Sequence, residues 1–120
     1  MPVTLEPNGD RLQVNGNDVA LHNELLGVNQ TWQNVTADRE IGVEYTNDTN
    51  RPIALSVLCV TESEGQNVGI LVGVVSVAYA YSRSISPYYA DSMFVIVPPG
   101  STYKVNAATG STIHTWAELR

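Results

Sequence analysis

The sequence predicts an all-β protein: an antiparallel β-sandwich, jelly-roll-like, preceded by a short hairpin-like attachment segment. Three observations carry this. Short runs such as "GVEYTN" and "STYKVN" alternate apolar with polar residues, and no stretch keeps a 3.6-residue period. Turn-forming clusters ("NDTNRP", "ESEGQN", "PPG", "AATG") separate the runs at roughly 8–15-residue intervals, the spacing of a sandwich or barrel. Charged residues are only 15% of the chain; Thr, Asn, Ser and Val stand in their place, a mix that favours strands and turns over surface helices.

At 120 residues the chain is one domain's length, and 43% hydrophobic content sets it apart from a disordered tail. The net charge is −6, and the six basic residues are spread singly. That leaves no basic stripe for nucleic acid and no Lys/Arg cluster for an anionic membrane. The opening "MPVTLEPNGD" has neither the basic region nor the apolar run of a secretory signal. The most apolar stretch, "VGILVGVVSVAYAY", falls short of the ~20 residues of a membrane helix and is rich in β-branched residues, so it reads as buried strand. The lone cysteine, Cys59, reads as a small core hydrophobe.

Taken in order, residues 1–28 form the attachment segment and residues 29–120 the sandwich. In the first part, three-residue apolar-alternating pieces flank Asn8-Gly9 and Asn15-Gly16, the dipeptides best suited to hairpin turns. "HNELLG" then has the makings of one helical turn, with Asn23 as cap and Gly27 as stop. In the second part, "IALSVLCVT" places Ile53, Leu55, Val57 and Cys59 on one face, while its other face is apolar enough to be covered as well. "VGILVGVVSVAYAY" has room for one bent strand or two short ones, with Gly73 at the kink. "SRSISPYYADS" is the longest irregular piece, and "MFVIV" is a compact strand bounded by "PPG". In the closing "TIHTWAEL", Ile113, Thr115, Ala117 and Leu119 share one face, expected to be the core side. His114, Trp116 and Glu118 share the other, with Trp116 against Trp32's strand or a neighbouring subunit.

Several motifs occur together in a recognisable order: Gln30 to Thr36 ("QTWQNVT", with Trp32), Arg39, "YTNDTNRPI" from Tyr45, "VPPGSTY" with Pro98, Pro99, Gly100 and Tyr103, and a final "WAELR" with Trp116, Glu118 and Arg120. This pattern resembles the distal domain of tailed-bacteriophage and prophage tail-fibre proteins. "LQVNGNDVAL" looks like the strand-turn-strand that joins a fibre shaft to that domain. The resemblance implies a virion structural protein, assembled in the host cytoplasm as a homotrimer. It further implies a receptor-binding knob without enzyme activity or cofactor, joined to other virion proteins through residues 1–28. Trp32, Arg39, Tyr45, Pro98, Pro99, Gly100, Tyr103, Trp116 and Arg120 are then structural or assembly residues, with Arg120 expected to form ion pairs across subunits. A head decoration or head fibre on the capsid surface is the alternative; a small polysaccharide depolymerase is a third reading.

The residues themselves argue little for catalysis. The two histidines, His22 and His114, stand apart, no Gly-x-Ser-x-Gly elbow occurs, and one cysteine with two isolated histidines makes no metal cluster. A glycosidase needs two carboxylates across a cleft; Glu62, Glu64 and Asp91 are loop carboxylates of the kind usually solvated. The sequons "NQT", "NVT" and "NDT" suit an Asn- and Thr-rich composition, and "NDTN" lacks the spaced acids of a calcium loop. Aromatic residues beside polar ones are more suggestive of glycan binding. Tyr88 and Tyr89, with Arg83, Asp91, Glu62 and Glu64 in the loops around 62–69 and 82–92, are the candidate receptor contacts, and Tyr79 and Tyr81 are expected in the core or a subunit interface.

Overall fold

The computed structural model describes residues 5–8, 11–15, 17–18 and 24–120. Among them the strands are, in chain order, β1 (Leu5–Asn8), β2 (Arg11–Val14), β3 (Asn17–Asp18), β4 (Trp32–Asn34), β5 (Tyr45–Thr46), β6 (Ile53–Thr61), β7 (Asn67–Val72), β8 (Val75–Tyr81), β9 (Tyr88–Tyr89), β10 (Met93–Val97), β11 (Thr102–Ala107) and β12 (Thr112–Leu119). A 3-10 turn covers Thr36–Asp38. No helix among the described residues is long and apolar enough to cross a membrane.

β1, β2 and β3 form a small antiparallel sheet of their own. Asn8 pairs with Arg11; residues 9–10 between them lie outside the described residues. The β2–β3 hairpin closes at Asn15, whose φ of +50° suits Asn. The expected cap Asn23, and His22, also lie outside the described residues; residues 25–29 are bend and turn, with Gly27 at φ +90°.

The remaining strands make two packed sheets. One runs β10-β6-β12-β4, with β9 beside the far end of β6; the other runs β5-β11-β7-β8. Counting β9 and β10 as one strand interrupted at residues 90–92, the chain visits the sheets in the order first, second, first, second, second, first, second, first. With all pairings antiparallel, this is the eight-stranded jelly roll. Strand alternation builds the core between the sheets. Ile53, Leu55, Val57 and Cys59 of β6 face Val68 and Ile70 of β7 and Val105 of β11, joined by Met93, Val95 and Val97 of β10. Burial pushes the Cys59 thiol up to about 11, in keeping with an apolar site.

Two expectations change. "VGILVGVVSVAYAY" takes the two-strand form, a tight hairpin, and what changes is its burial. Gly73, at φ +62°, allows the reversal between β7 and β8. β8 is an edge strand that sends Ala78 and Ala80 inward and leaves Tyr79 and Tyr81 half exposed, so neither tyrosine is in the core. The face of β12 is also reversed. The register shifts between Ile113 and Thr115, and beyond that bulge Trp116 and Glu118 point inward, both fully buried, while Thr115, Ala117 and Leu119 keep partial exposure.

Trp116 meets Tyr45 edge-on at 5.9 Å and Tyr103 at 6.5 Å, and so packs in the core rather than against Trp32. Beside it the Glu118 carboxylate receives five donors. Arg39 reaches it with Nε on Oε2 and Nη2 on Oε1, both at 3.0 Å. The Tyr103 hydroxyl at 3.0 Å and the Trp116 Nε1 at 3.1 Å also donate to Oε2. Arg120 Nη1 donates to Oε1 at 3.0 Å. The Arg39 guanidinium in turn lies 4.7 Å from the centre of the Tyr45 ring. Arg120, expected to pair across subunits, is thus engaged within its own chain, with Glu118 and, at 3.5 Å, Asp48.

A second buried node fixes one end of the sandwich. Asn47 is fully buried, and its Nδ2 donates to the carbonyls of Arg51 (2.8 Å) and Val97 (3.0 Å). Its Oδ1 accepts from the backbone N–H and hydroxyl of Thr49, at 3.1 and 2.6 Å. Its own N–H donates to Ser101, and its carbonyl accepts from Gly100. The "YTNDTNRPI" and "VPPGSTY" motifs are therefore two turns locked together through one amide.

Glu118→Ala would leave Arg39 facing a buried site with its partner gone, and would orphan the Trp116 and Tyr103 donors. It is expected to cost about 3–5 kcal/mol, read as a shift of the urea midpoint. Burial first, and then the Glu118 charge, push the Tyr103 hydroxyl up to about 12, against about 10 for an unfolded tyrosine. A raised folded value means stability present below pH ~10 and lost as pH rises toward 12. Urea unfolding across that interval should show the fall, and Tyr103→Phe should flatten it.

Candidate functional site

β6 gives the sandwich a direction. Its start, Ile53, pairs with Val97, and the next residue, Ala54, with Leu119; its last residue, Thr61, pairs with Tyr88. The chain enters at the first of these ends, where Thr31 and Arg120 exchange two backbone hydrogen bonds of 3.2 Å. Eight residue steps at about 3.3 Å put the loops 62–66, 82–92 and 107–111 about 26 Å away, at the other end.

Ser82 joins two of these loops. Its hydroxyl donates to the Ser63 carbonyl (2.9 Å) and accepts from the Gln66 N–H (3.0 Å). Its backbone exchanges bonds with Gln66 and Gly65, and it pairs with Ala90. Arg83 N–H then donates to the Tyr89 carbonyl at 2.9 Å, and Ala90 N–H to Cys59 at 3.0 Å. The segment between Arg83 and Tyr89, with its cis Ser86-Pro87 bond, is thus an exposed excursion on a fixed base.

Two adjoining hollows flank this excursion. The first, about 530 Å3, is bounded by Arg83, Tyr89, Asp91, Ser92 and His114, with Leu58 and Ala90 as its apolar wall. The second, about 540 Å3, is lined by Ser84, Ile85, Ser86 and Pro87 and shares Arg83 and Tyr89 with the first. Tyr89 stacks edge-on against His114, ring centres 5.1 Å apart. Arg83 and Asp91 approach to 3.6 Å, yet both side chains are more than two-thirds exposed. Such a pair contributes little to stability and leaves both groups free to bind a ligand. Aromatic rings, a guanidinium, a carboxylate and hydroxyls around shallow hollows suit a polyhydroxylated ligand. Its C–H faces would stack, and its hydroxyls would take the polar groups.

Of the predicted contacts, Arg83, Tyr89 and Asp91 come together. Tyr88 is half buried beside Thr61 and does not line either hollow. Glu62 lies over Gly110 in the β11–β12 turn, and Glu64 is exposed in its own loop. Sequence reasoning missed His114, which the β12 bulge carries to the groove wall; nothing in its neighbours along the chain signals that. It also missed Ile85, whose signal was available: an apolar residue, 78% exposed, inside the polar run "SRSISP". The predicted structural residues lie elsewhere. Arg39, Tyr45, Tyr103, Trp116 and Arg120 surround Glu118, and Gly100 belongs to the turn on Asn47. Pro98 and Pro99 lead into that turn, the Pro98 carbonyl accepting from Ser101. Trp32 is on an outer sheet face, half exposed.

Comparison with family models, with curated proteins and with solved structures finds no match to this chain in any of the three.

Because the Arg83–Asp91 pair is solvated, Arg83→Ala and Asp91→Ala are each expected to change unfolding free energy by no more than about 0.5 kcal/mol in urea titrations. Either residue can therefore be replaced in binding experiments without disturbing the fold.

Proposed function

We propose that this chain is a virion structural protein of the tail-fibre type, a homotrimeric knob that recognises a host surface glycan through loop 82–92. The observation that carries the reading is the paired hollow around Arg83 and Tyr89, set at the end of the jelly roll remote from the chain entry. A knob held by its entry end offers that remote end to a cell surface. The motif resemblance supports the same reading in a different way. The residues that carry it lie largely in the Glu118 cluster and the Asn47 turns, as expected of motifs that maintain a scaffold while the binding loop varies. A tyrosine-flanked shallow site with solvated charges fits sugar recognition, where many modest contacts add up, better than a closed catalytic pocket.

The test is binding of the purified, fluorescently labelled protein to an array of bacterial surface polysaccharides and to intact cells of candidate hosts. Arg83→Ala with Asp91→Ala is expected to lower apparent affinity at least about tenfold, the equivalent of ~1.4 kcal/mol. The Glu64→Ala control should bind normally. Undiminished adsorption by the double variant would remove the groove from the receptor site.

A further inference from the structure

The outer face of the first sheet carries no Asp, Glu, Lys or Arg; its ionisable side chains, His114 in the bulge and Tyr89 beside Val60, stand at the groove end. Outward from β10, β6, β12 and β4 stand Phe94 and Ile96; Ala54, Ser56, Leu58 and Val60; Thr115, Ala117 and Leu119; and Trp32 and Asn34. None of these is ionisable, in a chain of net charge −6. A sheet face meant for water ordinarily alternates to polar and charged residues. Here the centre is built of small residues. Ala54 is fully buried although it belongs to this outer side, and the Trp32 and Phe94 rings, on strands at opposite edges, meet edge-on at 6.3 Å across it. Trp32, Phe94 and Ile96 remain 50–60% exposed, a raised apolar ridge on the open face.

A second uncharged surface lies on the other sheet. Edge strand β8 reads "VSVAYAY", with no Lys, Glu or Pro to discourage pairing. Its outward row of Val77, Tyr79 and Tyr81 is about half exposed. Tyr79 and Tyr81 pack edge-on at 5.2 Å, and Tyr79 sits over Gly69, where a side chain would meet its ring at 3.4 Å and the Ala78 carbonyl at 3.1 Å. Glycine there lets the tyrosine lie close on the sheet, which makes the row a fixed relief.

We propose that these two surfaces are the complementary halves of one contact between copies of this chain: the Trp32–Phe94–Ile96 face of one copy receives the Val77–Tyr79–Tyr81 row of the next. The proposal rests on the reading of the protein as a homo-oligomer and adds which faces meet. Three arguments select a second copy as the occupant. Both surfaces have the composition of an interface core, aromatic and depleted of charge. A head-to-tail contact in a closed ring covers both at once, whereas a foreign partner on one would leave the other open to water. The size also allows it. Four strands at about 4.8 Å and an eight-residue strand at about 3.3 Å per residue give a face of roughly 19 by 26 Å. That is about 500 Å2 in projection, below the ~800 Å2 per partner of a standard interface, but every copy in a closed ring makes the contact twice, once with each face. The groove wall formed by Leu58 and His114 would then lie at the rim of this contact, next to the neighbouring copy.

The experiment is light scattering with size-exclusion chromatography at micromolar concentration, on the full chain and two double variants, each checked by circular dichroism. Wild type is expected to run as a closed oligomer. Phe94→Glu with Ile96→Glu, and separately Tyr79→Glu with Tyr81→Glu, should each fall to the mass of one chain. Mixed in equal amounts, the two variants retain one intact pair of faces between them and should form a dimer and nothing larger. Should the first variant not fold, the single Ile96→Lys change at the same half-exposed site takes its place. A monomeric wild type, or an unchanged mass for the Phe94/Ile96 variant, overturns the proposal. An oligomer broken only by the Phe94/Ile96 change, with the Tyr79/Tyr81 variant intact, overturns the pairing of the two faces. Polysaccharide binding by the resulting monomers is read separately, so failure of the interface and failure of the receptor reading are told apart.

Discussion

The buried carboxylate of Glu118 is the interaction on which the rest of the molecule depends. An ionised carboxylate in an apolar core is costly unless every lone pair is used. Here two guanidinium groups, a phenol and an indole surround it, and Arg39 does so with two parallel bonds, the strongest geometry available to that pair. The donors come from three separate parts of the chain. Arg39 follows the 3-10 turn, Tyr103 lies on β11 of the second sheet, and Trp116 on β12 and Arg120 just beyond it flank the carboxylate. One charge thereby joins both sheets, the β4–β5 connection and the carboxyl terminus. Any slip of β12 by one residue would expose Glu118 and bury its neighbours, so the network also sets the register of the last strand.

That constraint explains why so many distinctive residues lie away from the groove. Tryptophan, tyrosine and arginine are the residues one looks for at a binding surface, and most of those in this chain's motifs are used to satisfy one buried group. The Asn47 amide does the equivalent at the chain-entry end, where two turns rich in Pro, Gly and Thr would otherwise leave backbone groups unpaired. With both nodes in place the scaffold holds itself, and loop 82–92 needs only its anchors at Ser82, Arg83 and Tyr89. Its tip is free to carry exposed Ile85 and Pro87 beside charged groups without a packing role.

The remaining surface is divided unevenly. Charge concentrates in loops and turns, while the outer face of the β10-β6-β12-β4 sheet and the outward row of β8 carry no Asp, Glu, Lys or Arg. In a sandwich the inner faces are spoken for by the core, so uncharged outer faces are surplus apolar surface. Such surplus is a solubility burden for a solitary domain and an asset for an assembly.

Period-two patterning, turn chemistry and composition determined the fold class, because a jelly roll is assembled from local rules: which residues alternate, and where the chain can reverse. The core face of β6 was legible for the same reason, as was the pull of Arg83, Tyr89 and Asp91 toward one loop, since they lie close in sequence. Three things were decided only by tertiary structure. A one-residue bulge near His114 turned Trp116 and Glu118 inward, and a bulge leaves no mark in an alternating run. His114 joined Tyr89 because β12 and β9 both flank β6, a proximity between residues 25 positions apart. And "VSVAYAY" became an exposed edge rather than a buried strand, because the hydrophobicity of a strand says that it wants cover and not whether its own chain supplies it.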